Sequence, residues 1–416
     1  MSRADRLSAL VLQGTALLLL PVAYAAPLQV VTLAGLAAVV LLLGQATADR
    51  AERRWPRPVV PALLLAVLAV WGAITALWAP APDRSLELAL RFLGFGIGIA
   101  VLADAAQRLT PAALARLANT LVIGAAIAGV GVALALLVGR DVAGGLGLDT
   151  GANQAEFLAH FNRGTAVLAI VAWPLAMIVA RRYGRLWALA ALIAIAAVLV
   201  GLNPRTPTIA LAVGSSVFGL AWLAPRLAPP ALAGLFVAMV AAIPFMGELY
   251  EPARDALLAI ADGPTSQVHR LAIWQFAAER IAEQPVFGWG LDASRALPGR
   301  EVALELYRTA TGEVVTGAAL TLHPHNALIQ VWLELGLPGL LIAALMFGFL
   351  VRAPAVTTVG RGALATRLAV LASALVVAQL SFGIWQGWWM AALGLAGVLT
   401  LALTPEGVGK TEATAT

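Results

Sequence analysis

The chain has 416 residues, of which 61% are hydrophobic and 12% charged, and its mean hydropathy is +0.89. That composition leaves too little polar surface to coat a soluble domain of this size and excludes one; the absence of cysteine also excludes disulfides, thiolate metal sites and thiol nucleophiles. A net charge of +5 and a pI near 10.3 would suit nucleic acid, but the positions of the basic residues, given below, exclude that partner.

Apolar runs close to the length that crosses a hydrocarbon core of ~30 Å recur along the sequence. They fall at 8–25, 28–44, 59–78, 88–104, 117–138, 164–180, 186–202, 207–223, 230–247, 326–351, 367–384 and 387–403. The fold class expected is therefore an all-α polytopic membrane protein with about twelve transmembrane helices and one long loop containing short helices. Nine helices occupy 1–248, the loop 249–325, three helices 326–404, and a tail 405–416. Residues 1–26 also fit a cleaved leader, because Arg3 and Arg6 precede the first run and Ala23-Tyr24-Ala25 has the small-x-small form. Pro21 and the following run fit a helical hairpin, and an uncleaved first helix is the expectation.

With the N-terminus inside, sixteen basic residues fall on inner segments: Arg3, Arg6, Arg50, Arg53, Arg54, Arg57, Arg108, Arg116, Arg181, Arg182, Arg185, Arg226, Arg352, Arg361, Arg367 and Lys410. The short outer segments hold four, Arg84, Arg140, Arg163 and Arg205. This bias predicts cytoplasmic termini and a periplasmic long loop. No repeat of 20 to 50 residues is evident, and the long insertion lies outside rather than between two inner-linked halves. That asymmetry favours an enzyme working at the outer surface over a carrier.

Two arginines occupy constrained outer positions. Arg163 follows Asn162 at the head of the sixth run. Arg205 lies in Asn203-Pro204-Arg205-Thr206-Pro207, a link short enough to stay at the interface, with Thr206 and Pro207 expected as N-cap and first residue of the next helix. Helix N-termini favour anions, and an arginine there adds a bidentate fork for phosphate. Each also fits an interfacial anchor.

Inside the long loop, 266–284 reads as an amphipathic helix ended by Pro285, with Leu271, Trp274, Ala277, Ala278 and Ile281 on one side. Arg270 projects between Ala277, Ile281 and Trp274, where a guanidinium is costly without a partner, while Arg280 points to the polar side. A cation–π contact with Trp274 would serve as well as a bound anion.

The loop ends at His323-Pro324-His325-Asn326. The run 326–351 would be about 39 Å long as a helix, more than the ~30 Å core, so His325 should stand clear of the hydrocarbon. Gly336 and Pro338-Gly339 should break or bend it. An imidazole there, near arginines, is pushed towards the neutral form that accepts a proton; alternatively it only caps the helix. His323 is the weaker candidate, His269 and His160 weaker still.

His325-Asn326, nine residues, Gly336, two residues and Gly339 resemble the signature of bacterial O-antigen ligases and the related O-antigen polymerases. Arg270-Leu-Ala-Ile-Trp274 with Pro285-Val-Phe-Gly288-Trp-Gly290 is similar to the loop segment of that family, and Asn203-Pro204-Arg205 sits where its members often carry a Ser-Arg pair, with Pro204 departing from the serine. The resemblance covers roughly 160–350. It implies a metal-independent glycosyltransferase without cofactor in the bacterial inner membrane, moving a glycan from undecaprenyl pyrophosphate to a sugar hydroxyl, in ligases that of lipid A-core. In that scheme His325 is the general base, His323 and Asn326 support it, and Arg163, Arg205 and Arg270 bind the pyrophosphate, with the lipid tail among helices and membrane lipids.

The same donor would serve an O-antigen or exopolysaccharide polymerase with a glycan acceptor, a reading the residues leave open. A metal-dependent oligosaccharyltransferase would need clustered outer carboxylates, and only Glu248 and Glu251 approach this. A lipid-linked glycan transporter would carry ionisable residues within its helices, which here amount to Arg91, Asp104 and Glu334.

Overall fold

Proline and glycine punctuate the apolar runs, and several helices begin at them. The computed structural model describes residues 2–47, 56–57, 59–145, 158–260, 266–309, 311–356 and 359–404. The tail assigned to 405–416 and Arg50, Arg53, Arg54 and Lys410 of the basic count lie outside the described residues. α1 (Arg3–Ala25) and α2 (Val30–Ala46) are joined by a 3₁₀ turn at Pro27–Gln29. Then come α3 (Val60–Thr75), α4 (Pro82–Gln107) and α5 (Pro111–Gly145). Proline in the first turn of α3 and α4 costs no hydrogen bond, since those N–H groups have no partner within the helix. α6 (Asn162–Tyr183), α7 (Arg185–Leu202), α8 (Arg205–Leu223) and α9 (Ala228–Ala242) follow.

Among the described residues ten helical stretches are long and apolar enough to cross a membrane, and Val60–Thr75 and Gly387–Leu403 are shorter apolar helices. The chain is an all-α, multi-pass membrane protein. At its centre stands α6, buried continuously from Gly164 to Ile178 and packed by α1, α7 and α8. A helix apolar all round belongs in such a place. Its Trp173 indole N–H donates to Ser373 Oγ at 2.9 Å.

Past α9 a 3₁₀ turn at Ile243–Phe245 leads directly into α10 (Met246–Ile260), so the loop boundary expected at 249 falls inside a helix. α11 (Ser266–Glu283) follows. Of the expected stripe Ala277 and Ile281 are buried and Leu271, Trp274 and Ala278 half-buried, while Val268, Ala272 and Ile273, outside that stripe, are buried as well. The reason is that α11 is held on two sides. Ile273, Ala277 and Ile281 join the large core, while Val268 and Ala272 pack with Tyr250 and Leu306. Leu306 belongs to an antiparallel hairpin of β1 (Ala303–Arg308) and β2 (Val314–Ala318), so the loop holds more than short helices. Alternating Leu304, Leu306 and the β-branched Val314-Val315-Thr316 carried that signal in the sequence.

α12 (Ala327–Val356) is broken at Gly336, whose φ of 64° and ψ of −158° are accessible essentially to glycine alone. The break is filled by the loop after α11. Trp289 N–H donates to Leu333 O at 2.9 Å, Gly290 N–H to Glu334 O at 2.8 Å, and Leu337 N–H to Val286 O at 2.9 Å. Trp71 Nε1 takes the Leu335 carbonyl at 2.9 Å. Every freed backbone group named here is thus satisfied, as a break among membrane helices requires. A Cβ on Gly336 would lie 2.2 Å from Val286 O, and one on Gly288 2.6 Å from Glu334 O. Gly336→Ala is accordingly expected to destabilise the protein by about 3 kcal/mol or more, read as a fall in the thermal midpoint in detergent. Gly348→Ala, where nothing stands within 4 Å, should leave it unchanged.

α13 (Arg361–Leu380) and α14 (Gly387–Leu403) complete the bundle. α13 stops at Leu380 rather than at the expected 384. A non-helical link, 381–386, takes the last part of that run.

Candidate active site

One end of the bundle carries the 246–326 segment, the 381–386 link and the heads of α6 and α8. The chain turns there through His323-Pro324-His325-Asn326 into α12. Asn326 caps that helix: its Oδ1 accepts from Ile329 N–H at 3.0 Å, so the asparagine, not the histidine, serves as the cap. Trp274 of α11 donates its indole N–H to Pro324 O at 2.8 Å, tying α11 to the same turn.

His325 adopts a left-handed φ of 58°, uncommon for a residue with a side chain. Its Nδ1 lies 2.6 Å from the carbonyl of Ser381 at the end of α13. A carbonyl can only accept, so Nδ1 bears the hydrogen and Nε2 keeps its lone pair. Burial holds the ring below the ordinary imidazole value of 6.5, with the charges of Arg270 and His269 adding, while the Ser381 contact opposes them. The result is a neutral imidazole with its basic nitrogen defined.

His323 lies edge-on to His325, ring centroids 4.2 Å apart, and is 7% exposed. Its Nδ1 faces the His325 N–H at 3.2 Å and its Nε2 the Gln386 amide nitrogen at 3.1 Å. Trp388 donates to Gln386 Oε1 at 2.8 Å, which turns the amide N–H group towards the histidine. A neutral ring can accept one of these donors; a protonated ring could accept neither. Burial, reinforced by His325, Arg295 and Arg270, pushes His323 down to about 3. It is a poor base, and its place is beside His325. Gly383 is required here because a Cβ would stand 2.8 Å from the His323 ring.

Arg270 lies on the face of α11 shared by Ile273, Ala277 and Ile281, as its periodicity predicts. No carboxylate pairs with it among the described residues. Burial and the neighbouring Arg205 charge lower its affinity for its proton, and its own charge acts on both His323 and His325. Arg205 is the first residue of α8, with Pro204 as N-cap; Thr206 and Pro207 are inside the helix instead of starting it. Thr206 Oγ1 reaches Leu380 O at 3.4 Å, which sets Arg205 beside the end of α13 that holds His325. Two guanidiniums close enough to repel, neither paired with a carboxylate among the described residues, form a place that favours an anion.

Arg163, exposed at the head of α6, stacks over Trp388 at 5.8 Å and meets the histidines through Trp388 and Gln386. His269 is tied by Nε2 to Ala318 O at 2.8 Å, fastening the hairpin to α11. His160 is exposed ahead of α6. Arg280 pairs with Glu283 at 2.7 Å and covers Phe276 at 5.4 Å, away from the histidines. Among the described residues no group of three or more His, Asp or Glu could hold a metal ion.

Sequence reasoning missed Ser381, Gln386, Arg295 and the part played by Glu334. Ser381-Phe382-Gly383 and Gln386-Gly387 interrupt the apolar pattern, but an average taken over a span's length hides so short a polar gap. Arg295 sits in a turn held by Asp292, which Arg295 contacts at 3.3 Å and Arg84 at 2.6 Å.

Residues 188–344, from α7 into α12, match the O-antigen ligase family. Within the matched stretch lie Arg205, Arg270, His323, His325 and Asn326; Arg163, Ser381 and Gln386 are outside it. A Rickettsia felis protein named "Putative polysaccharide ligase" is 27% identical over 334 residues, 77% of this chain and 75% of that protein. Proteins so named from Rickettsia conorii and Rickettsia typhi are 27% and 26% identical over 56% and 59% of this chain. The matches span 55% and 60% of those two proteins' own length. No solved structure matches the chain.

Proposed function

We propose that this protein is a metal-independent glycosyltransferase of the bacterial inner membrane, moving a glycan from undecaprenyl pyrophosphate to a sugar hydroxyl of lipid A-core. The observation that carries the reading is His325: neutral, hydrogen on Nδ1, lone pair on Nε2, beside Arg205 and Arg270, which pair with no carboxylate among the described residues. In the reaction the acceptor hydroxyl oxygen bonds to the anomeric carbon and its proton passes to His325 Nε2. The bond from that carbon to the pyrophosphate oxygen breaks, and the electron pair leaves on lipid pyrophosphate, whose charge Arg205, Arg270 and Arg163 stabilise. The names of the Rickettsia relatives support the joining of a polysaccharide.

Chelation of divalent metal should leave transfer intact, and loss of the protein should leave lipid-linked glycan unjoined to lipid A-core. Accumulation of single repeat units in place of assembled chains would instead identify a polymerase.

The site belongs on the periplasmic side, with both termini in the cytoplasm. Supporting this, the opposite end of the bundle gathers Arg57, Arg108, Arg181, Arg185 and Arg367 near Asp104, Trp222, Leu403 and Thr404. Of the cysteine-labelling positions the sequence suggests, Ala310, Ala51 and Thr357 lie outside the described residues, so exposed Ala26, Thr311 and Thr110 serve here. In cells with a permeabilised outer membrane, Ala26→Cys and Thr311→Cys should react with an impermeant thiol reagent, and Thr110→Cys only after the inner membrane is opened. Labelling of Thr110→Cys alone would put the histidines in the cytoplasm and end the proposal.

A further inference from the structure

Glu334 is fully buried in α12, and no basic side chain pairs with it among the described residues. Four donors from three stretches of chain converge on it. Asp292 N–H reaches Oε2 at 2.7 Å and Ser294 O–H reaches Oε1 at 2.5 Å, both from the turn after α11. Gln330, one helical turn earlier, donates to Oε1 at 3.1 Å, and Trp385 of the link donates to Oε2 at 2.6 Å. A carboxylate offers about four acceptor directions, so this set matches it.

The contacts continue to the histidines through the 381–386 link. Gln330 Oε1 accepts from Ile384 N–H at 3.0 Å, so Gln330 and Trp385 together fix the link that supplies the Ser381 carbonyl to His325 and Gln386 to His323. On the other side the Asp292–Ser294 turn carries Arg295, whose charge acts on His323. We propose that Glu334 is a positioning residue, a single carboxylate that fastens to α12 the 381–386 link that holds both histidines, together with the turn after α11. This rests on the reading of His325 as base, but its structural part can be tested without it.

The test uses the full chain in detergent or nanodiscs. Glu334→Gln keeps the volume but sets an amide N–H₂ against donors. The turnover of glycan transfer should fall about tenfold or more while the KM for donor stays within about twofold, because misplacing a reacting group slows the chemical step more than binding. Reaction of His323 with diethyl pyrocarbonate, followed by peptide mapping and referred to the exposed His160, should rise several-fold in the variant. General loss of fold would raise the reactivity of all four histidines together. Wild-type turnover with unchanged His323 protection in Glu334→Gln would overturn the proposal. Should that variant not accumulate, Trp385→Phe removes one donor and keeps the ring; smaller shifts in both readouts are expected, and none would overturn it. A His325→Ala protein that still turned over would remove the catalytic reading, while His323 protection would still decide the role of Glu334.

Discussion

His325→Ala is expected to lower glycan transfer by about 10²- to 10⁴-fold, the usual contribution of a general base, with donor binding retained because the guanidiniums are untouched. Single-turnover transfer measured beside binding of a radiolabelled donor separates the two. His323→Ala should cost less in turnover, since that ring contacts the base and holds no available lone pair for the substrate. The pH dependence carries a second signature. His325 is depressed below 6.5, so the acid limb of the rate profile should fall below that value and vanish in the alanine variant's residual activity. His323 affects stability instead. Its folded-state value of about 3 lies below the unfolded value near 6.5, so only the unfolded chain binds a proton between them. Stability is therefore full above about 6.5 and is lost progressively as pH falls towards 3. His323→Gln should flatten that loss in thermal scans. An alanine at 325 with near-normal turnover would sink the catalytic assignment.

Arg270→Ala and Arg205→Ala should each weaken donor binding or turnover by about 10- to 100-fold, the range of a lost charge-assisted hydrogen bond pair. Lysine should rescue poorly at either position, because a point charge cannot reproduce a fork on two phosphate oxygens. Arg280→Ala is the control. Its guanidinium is committed to Glu283 and Phe276, so its loss should cost at most about 1 kcal/mol of stability and little transfer. Removing Arg270 should also stabilise the empty protein relative to wild type or leave it unchanged, since a half-buried cation facing Arg205 is itself unfavourable. Equal losses at Arg270 and Arg280 would show that the helical-face argument selected nothing.

The sequence by itself determined the membrane class, most helix positions, the Gly336 break, and the place of Arg270 beside Ala277 and Ile281 on α11. These depend on local quantities: hydropathy over a span, a 100° turn per residue, and the backbone freedom of one glycine. Only the tertiary structure decided how those residues meet. The hydrogen on His325 Nδ1 is fixed by a carbonyl 56 positions away, and Gln386 reaches His323 across 63. Neither pairing leaves a trace in periodicity, because any of several helix ends could have supplied the partner. The same holds for Glu334. An acid in an apolar run signals that donors must surround it, but which donors depends on how α12, the turn after α11 and the 381–386 link pack together. The hairpin was legible and overlooked; the proximity of Arg205 to Arg270 was implied by the family resemblance but not by periodicity, since it exists only once α13 sets the head of α8 beside the histidine turn.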